Sequence, residues 1–272
     1  MGSFHFNRWN KILGWTVFAI ALITYWLCVE PTASFWDAGE YITTASNLEV
    51  GHPPGAPLYQ LLGAFFSIFA LDPTNIALTI NLMSVFQSAF TILFMFWTLT
   101  ILLRNVVAKM GDITDDKLKG ILAAAFVGSL AFAFTDSFWY SAVEAEVYAG
   151  AICMMSILFY CALRWEREMN TPRGDRWLIL IAFLIGLTFG IHFLGLLTIP
   201  AMGFLYFFKN YKKVTLKNFI VANVVMVAIL LFIFKLLLPW TMQFFSASEI
   251  FFVNSIGLPF NSGTIIAGLL FI

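Results

Sequence analysis

Asp37, Glu40, Tyr41 and Thr44 stand at i, i+3, i+4 and i+7, the spacing that lines side chains along one face of a helix. Two carboxylates one turn apart at a membrane surface suit general-base work, because low polarity and a like-charged neighbour both raise one pKa toward neutrality. The same pair would suit a divalent cation, although the acids alone do not require one, and no other cofactor is implied. His52 follows in the run Gly51-His52-Pro53-Pro54-Gly55. Each proline pushes its predecessor out of helical geometry, so the helix is expected to end at Gly51 and residues 52–57 to form a stiff extended frame around the imidazole. A second stretch, 135–148, offers Asp136, Glu144 and Glu146. Glu144 and Glu146 are two residues apart, so on a helix only one of them faces a site, and Glu146 lies nearer the membrane.

Plainer readings stand beside these. Ser34-x-x-Asp37 is a helix-start pattern in which Asp37 completes a capping box, but capping leaves Glu40 unexplained. Trp139, Tyr140 and Tyr148 read as an aromatic belt as readily as a sugar-stacking surface. His192 can be a polar anchor at the interface, and Lys235 can extend its amine to the headgroups. Cys28, Cys153 and Cys161 form no CxxC pair, which argues against a disulfide framework or a zinc site. GxGxxG, Walker and HExxH patterns are absent, which argues against a nucleotide-driven machine or a zincin.

The elements that must position these residues are membrane helices. Of 272 residues, 61% are hydrophobic and 11% charged, with apolar runs long enough to cross a bilayer. The run from Ile12 to Val29 is too long for a signal-peptide core and is read as the first span. Further runs at about 76–103, 120–138, 147–163, 177–190, 193–208, 219–238 and from 263 onward make eight candidates in one membrane domain, 1–272, the last incomplete. The stretch 58–71 is read as a helix lying in the interface, because the positive-inside rule then puts fourteen of the fifteen Lys and Arg residues beside the N-terminus, in the cytoplasm. Lys235 is the exception. Glu30, Asp37, Glu40, Glu49, Asp72, Asp136, Glu144, Glu146 and Glu249 fall on the other side, and the hairpin 177–208 carries His192 at its outer tip. A formal net charge of zero gives no sign of nucleic-acid binding.

The stretch FWDAGEYITTASNLEVGHPPGAPLYQLLG resembles the membrane glycosyltransferases of the GT-C fold class, and the pair WDxGEY and GHPPGxPLY resembles glycosyltransferase family 117, which is related to an animal protein O-mannosyltransferase. The resemblance implies an all-α polytopic bundle with interfacial helices in the first outer loop. It also implies a bacterial inner-membrane enzyme with a periplasmic site, and a longer native protein with a soluble C-terminal part. Its expected activity is inverting transfer of a sugar, mannose for preference, from a polyprenyl-phosphate donor to Ser or Thr hydroxyls of a protein acceptor. Asp37 and Glu40 are then the catalytic pair, with Asp37 preferred as base. Many GT-C enzymes carry adjacent Asp-Glu, whereas here the acids are three apart, which leaves the choice of base open. Tyr41, His52, Glu144 and Glu146 would shape the substrate pocket, and His192 and Lys235 would meet the donor's phosphate. The alternative is an ion-coupled transporter using the acidic cluster, but such carriers place ionisable groups near the midplane on broken helices.

Overall fold

The computed structural model describes residues 4–270, and their regular structure is all helical, with no strand among them. The chain divides into two compact units at Thr198. The first begins with α1 (Phe6–Leu27), two short helices α2 (Ala38–Asn47) and α3 (Pro57–Ser67), and the long α4 (Ile76–Lys109). It continues through α5 (Asp115–Ala133), α6 (Asp136–Val143), α7 (Val147–Glu168) and α8 (Pro172–Thr188). The second holds α9 (Thr198–Asn210), α10 (Leu216–Phe232), α11 (Leu238–Ile250) and α12 (Ser262–Leu270).

Among the described residues, five helical stretches are long and apolar enough to cross a membrane, or six if the bent pair α5–α6 counts as one span. The eight apolar runs therefore map onto fewer full-length elements. The run 120–138 breaks at a 67° bend, where Thr135 leaves helical geometry and Asp136 opens a new helix. The run 177–190 becomes α8, 17 residues long, and 193–208 becomes an 18-residue helix beginning as a 3₁₀ turn at Phe193. The run 219–238 does not stop there: helix continues for 40 residues, from Leu216 to Ser255, through π turns at Ile233–Leu237 and Phe251–Ser255. Pro239 has no N–H for the carbonyl of Lys235, which accounts for the first of these irregular turns. The final run reaches α12, and its last two residues, 271 and 272, lie outside the described residues.

α4 is the axis of the first unit: at 1.5 Å per residue its 34 residues reach about 51 Å, and α1, α3, α5 and α7 all pack on it. Lipid is as apolar as a leucine side chain, so close packing rather than escape from water must hold these helices together. Small residues allow it. Ala21 of α1, Ala89 of α4, Ala125 of α5 and Ala142 of α6 lie in one buried cluster with Tyr25, Phe96 and Phe138. The Tyr25 hydroxyl donates to the carbonyl of Ala133, satisfying a group at the end of α5 (2.7 Å).

At 11 residues, α3 is too short to cross the bilayer, and with α2 it fills the loop between α1 and α4. A side chain at Gly63 would meet Ala45 at 2.7 Å, so glycine there lets α3 lie directly against α2. The buried Asn81 of α4 donates to the carbonyls of Glu30 and Thr32 (2.6 and 2.9 Å), and the Glu30 amide donates to the Val143 carbonyl (3.0 Å). One amide side chain thus fastens the start of this loop to α4, while a backbone bond joins it to the end of α6. Asn81→Ala leaves two loop carbonyls without these donors and is expected to destabilise the folded protein by about 1–3 kcal/mol; thermal unfolding of the purified protein in detergent, against wild type, measures it.

Candidate functional site

The loop acids sort themselves by their partners. Asp72 accepts from the amide and hydroxyl of Thr74 (2.9 and 2.6 Å), and Glu30 from those of Thr32 (3.2 and 2.9 Å). In the second unit Glu249 accepts from the amides of Asn261 and Thr264 (2.6 and 2.8 Å), tying the start of α12. These three shape turns. Asp37 and Glu40 do something else.

Asp37 sits at the N-cap of α2, and its side chain caps nothing. The Ser34-Asp37 capping box is not formed, and the Ser34 hydroxyl is buried without a partner among the described residues. Before Asp37 the backbone of Trp36 takes φ +62°, a left-handed conformation that is costly for a bulky residue, and the Trp36 ring stands almost fully exposed. α2 ends at Asn47, four residues before the expected Gly51, with Leu48 in the left-handed region and the Glu49 amide returning to the Thr44 carbonyl (2.8 Å). His52–Gly55 is a closed turn rather than an extended frame: the Gly55 amide donates to the His52 carbonyl (2.8 Å), and Gly55 takes φ +89°, which glycine adopts without strain.

That turn brings His52 back onto the acids. Its amide donates to Glu40 Oε1 (2.6 Å), its ring Nδ1 lies 3.1 Å from Glu40 Oε2, and Nε2 lies 4.0 Å from Asp37 Oδ2. Glu40 therefore holds the imidazole with its far nitrogen toward Asp37. The His52 amide, followed by the His52 ring, keeps the Glu40 carboxyl below the usual range. Gly51 eases this approach, because a Cβ there would lie 3.2 Å from Glu40 Oε1 and 3.3 Å from Gln60 Nε2. Gln60, buried in α3, donates to Thr44 Oγ1 (2.7 Å) and so fixes α3 to the rear of the acidic face.

Glu144 and Glu146 arrive from the α6–α7 junction. The junction is extended rather than helical, with the Glu146 amide turning back to the Glu144 carbonyl (2.9 Å), so helical spacing does not govern which way the two point. Glu146 is buried, and the backbone amides of Asp37 and Val147 near its carboxylate favour its charged form. Burial first, then the charges of Asp37 and Glu144, push its pKa up to about 7. Tyr41, between these groups, is pushed up to about 12 by burial and by the charges of Glu146, Asp37 and Glu40. Its ring packs on Tyr59 of α3 (5.1 Å) and faces His52 (5.7 Å).

His192 opens the 3₁₀ turn after α8 and accepts the Leu194 amide at Nδ1 (3.2 Å), leaving Nε2 as the protonated nitrogen of the neutral ring. Burial lowers its pKa, and its ring stands 5.4 Å from that of Tyr148. The corner before it is docked on α3, because the amides of Leu58 and Tyr59 both donate to the Gly190 carbonyl (2.7 and 3.0 Å). Asp37, Glu40, Tyr41, His52, Glu144, Glu146 and His192 thus come from three loops to one end of the first unit. Lys235 lies in a π turn of the second unit. Sequence reasoning missed the supports Asn81, Gln60 and the Gly190 carbonyl. Buried amides in apolar helices were the available signal for the first two; a backbone carbonyl leaves none.

Asp37, Glu40 and His52 present ligand atoms within 4.8 Å of one another. Their chemistry fits a cation held between Asp37 and His52 Nε2, with Glu40 orienting the imidazole from behind. The same geometry fits a proton acceptor, Asp37, beside a carboxylate already held by an imidazole.

Fold and site together define a polytopic helical membrane protein whose inter-helix loops converge on a carboxylate–imidazole cluster. The family described as protein O-mannosyl-transferase TMEM260 N-terminal domain matches residues 37–215, and the chain belongs to it. The protein O-mannosyl-transferase tmem260 of Dictyostelium discoideum is 28% identical over 206 residues, 71% of this chain and 23% of that protein. The protein O-mannosyl-transferase TMEM260 of Mus musculus is 26% identical over 172 residues, 63% of this chain and 22% of that protein. The chain therefore spans about a quarter of the length of these relatives. No solved structure matches.

A carboxyl whose folded pKa exceeds its unfolded value binds more protons folded than unfolded, so stability falls as pH rises between the two values. For Glu146 that window runs from 4.5 to about 7. Glu146→Gln, which mimics the protonated acid, is expected to unfold at a higher temperature than wild type at pH 8, with the gap closing toward pH 5. Melting curves across that range measure it, and a gap independent of pH would contradict the assignment.

Proposed function

We propose that this chain is the catalytic membrane part of a glycosyltransferase that moves mannose from a polyprenyl-phosphate donor to Ser or Thr hydroxyls of a protein acceptor. The observation that carries the reading is the convergence of Asp37, Glu40, His52 and Glu146 at one end of the first unit. Family membership supplies the sugar chemistry. The sequence distribution of Lys and Arg supports a cytoplasmic N-terminus, which assigns the site to the periplasmic face of a bacterial inner membrane.

In this mechanism the acceptor hydroxyl attacks the anomeric carbon as the bond from that carbon to the phosphate oxygen breaks. The hydroxyl proton passes to Asp37, and the configuration inverts. Asp37 is the more exposed acid of the pair, with 57% of its side chain accessible against 39% for Glu40, and is free to meet an acceptor. Glu40 is committed to His52, and a carboxylate held below its usual pKa range is the poorer base. Its role is to hold the imidazole and keep negative charge beside Asp37. Glu146, poised near neutrality behind Asp37, and Tyr41 form the inner wall of the pocket. His192 offers its Nε2 proton to the donor's phosphate.

The test is transfer by the full-length protein from polyprenyl-phosphate mannose to a Ser/Thr-rich acceptor. Asp37→Asn is expected to lower the rate by about 10²-fold or more while the protein remains folded. An unchanged rate would remove Asp37 as base. Loss of wild-type transfer on chelation, restored by a divalent cation, would instead assign Asp37, Glu40 and His52 to metal binding.

A further inference from the structure

At the opposite end of the first unit, α1, α4 and α7 line a half-open cavity of about 400 Å³. The start of α1 meets the ends of α4 and α7 there, with the Trp97 indole donating to the Asn10 carbonyl (3.3 Å) and the Arg104 guanidinium lying over the Phe6 ring at 5.3 Å. Lys11, Arg104, Arg164 and Arg167 line the cavity, and Trp97 and Tyr160 wall its deep side. Arg164 is held by Glu168 at 3.9 Å and by the Trp177 ring, so its charge is partly answered. Lys11, Arg104 and Arg167 have no carboxylate within ion-pair distance among the described residues. The charges of Arg104 and Arg164 both reach Arg167, against the single acid Glu166 beside it in sequence. Asn10 adds a buried side-chain oxygen with no partner among the described residues.

The bland account of these cations is that they are retained on this side only to set the orientation of the helices. That account requires positive charge in the loops. It does not require three helices to direct it into one aromatic-walled cavity, against mutual repulsion and with an unsatisfied amide among the cations. Repulsion between cations held this close is relieved by a bound anion, and guanidinium forks match phosphate oxygens two at a time. Aromatic walls at the level of the headgroups suit a ligand with an apolar tail, and the Asn10 oxygen suits a headgroup hydroxyl.

We propose that the cavity lined by Lys11, Arg104 and Arg167 binds the phosphodiester of an anionic phospholipid from the leaflet on the N-terminal side of the membrane. This site lies at the far end of the bundle from the acidic cluster and is independent of the transfer chemistry assigned there.

Binding of a fluorescent phosphatidylglycerol to the purified full-length protein in neutral detergent tests it. Phosphatidylglycerol should bind more tightly than the matching phosphatidylcholine by about tenfold or more. Arg104→Gln should weaken phosphatidylglycerol about fivefold, and the double change Arg104→Gln with Arg167→Gln about 30-fold, with phosphatidylcholine unaffected. Lys212→Gln with Lys213→Gln removes the same charge from a loop of the second unit and should leave binding unchanged. Arg104→Lys keeps the charge but loses the fork, and should fall between wild type and Arg104→Gln; it keeps the proposal testable if the glutamine variants do not fold. Equal losses in the two double variants, or no preference for phosphatidylglycerol, would overturn the proposal. Millimolar inorganic phosphate that stabilises the lipid-free protein, with no tight lipid binding, would overturn the lipid as the source of the phosphate.

Discussion

The site hangs from α4, the end of α6 and the corner after α8 by hydrogen bonds that no apolar contact could replace. A loop lying on a membrane protein has backbone carbonyls and amides that lipid cannot satisfy, so its conformation is dictated by whatever polar groups the bundle offers it. Here the bundle offers the Asn81 amide to Glu30 and Thr32, the Val143 carbonyl to Glu30, and the Gly190 carbonyl to Leu58 and Tyr59. These attachments come from α4, the end of α6 and the corner after α8. They determine where α2 and α3 lie, and with them the acids.

Within that frame the two acids of α2 are made unlike each other. They begin as equivalent carboxylates one turn apart at a helix start, where the helix dipole favours negative charge on both. The turn at His52–Gly55 then commits Glu40 to two hydrogen bonds from His52 and leaves Asp37 facing outward. Glu146 is differentiated in the other direction. Its burial and its two acidic neighbours disfavour the charge that the nearby amides of Asp37 and Val147 partly restore. Three carboxylates in one cluster thus acquire three environments, which is how acid, base and anchoring roles are separated in one pocket.

The two ends of the first unit have opposite electrostatic character. Acids and imidazoles gather where α2, α3 and the α6–α7 junction meet, while cations and indoles gather where α1 begins and α4 and α7 end. At the cationic end the like charge is held by three neighbouring helices, and a ligand of opposite sign relieves it.

The sequence by itself determined whatever depends on neighbours within a turn or two of helix. It determined that the chain is a set of long apolar helices, the common face of Asp37, Glu40 and Tyr41, and the shortness of the helix within 58–71, because helical period and length are local properties. It also singled out His52, His192, Glu144 and Glu146 by residue type, without their geometry. Tertiary structure decided the remainder. Whether Ser34 caps α2, whether Glu144 and Glu146 sit on a helix, and where the 219–238 run ends each depended on competing partners that local patterns cannot rank. The burial of Glu146 against the Asp37 amide joins residues more than a hundred positions apart. A carboxyl's environment is set by the atoms folded around it, and only the packing of α6 and α7 against the first loop brings those atoms together.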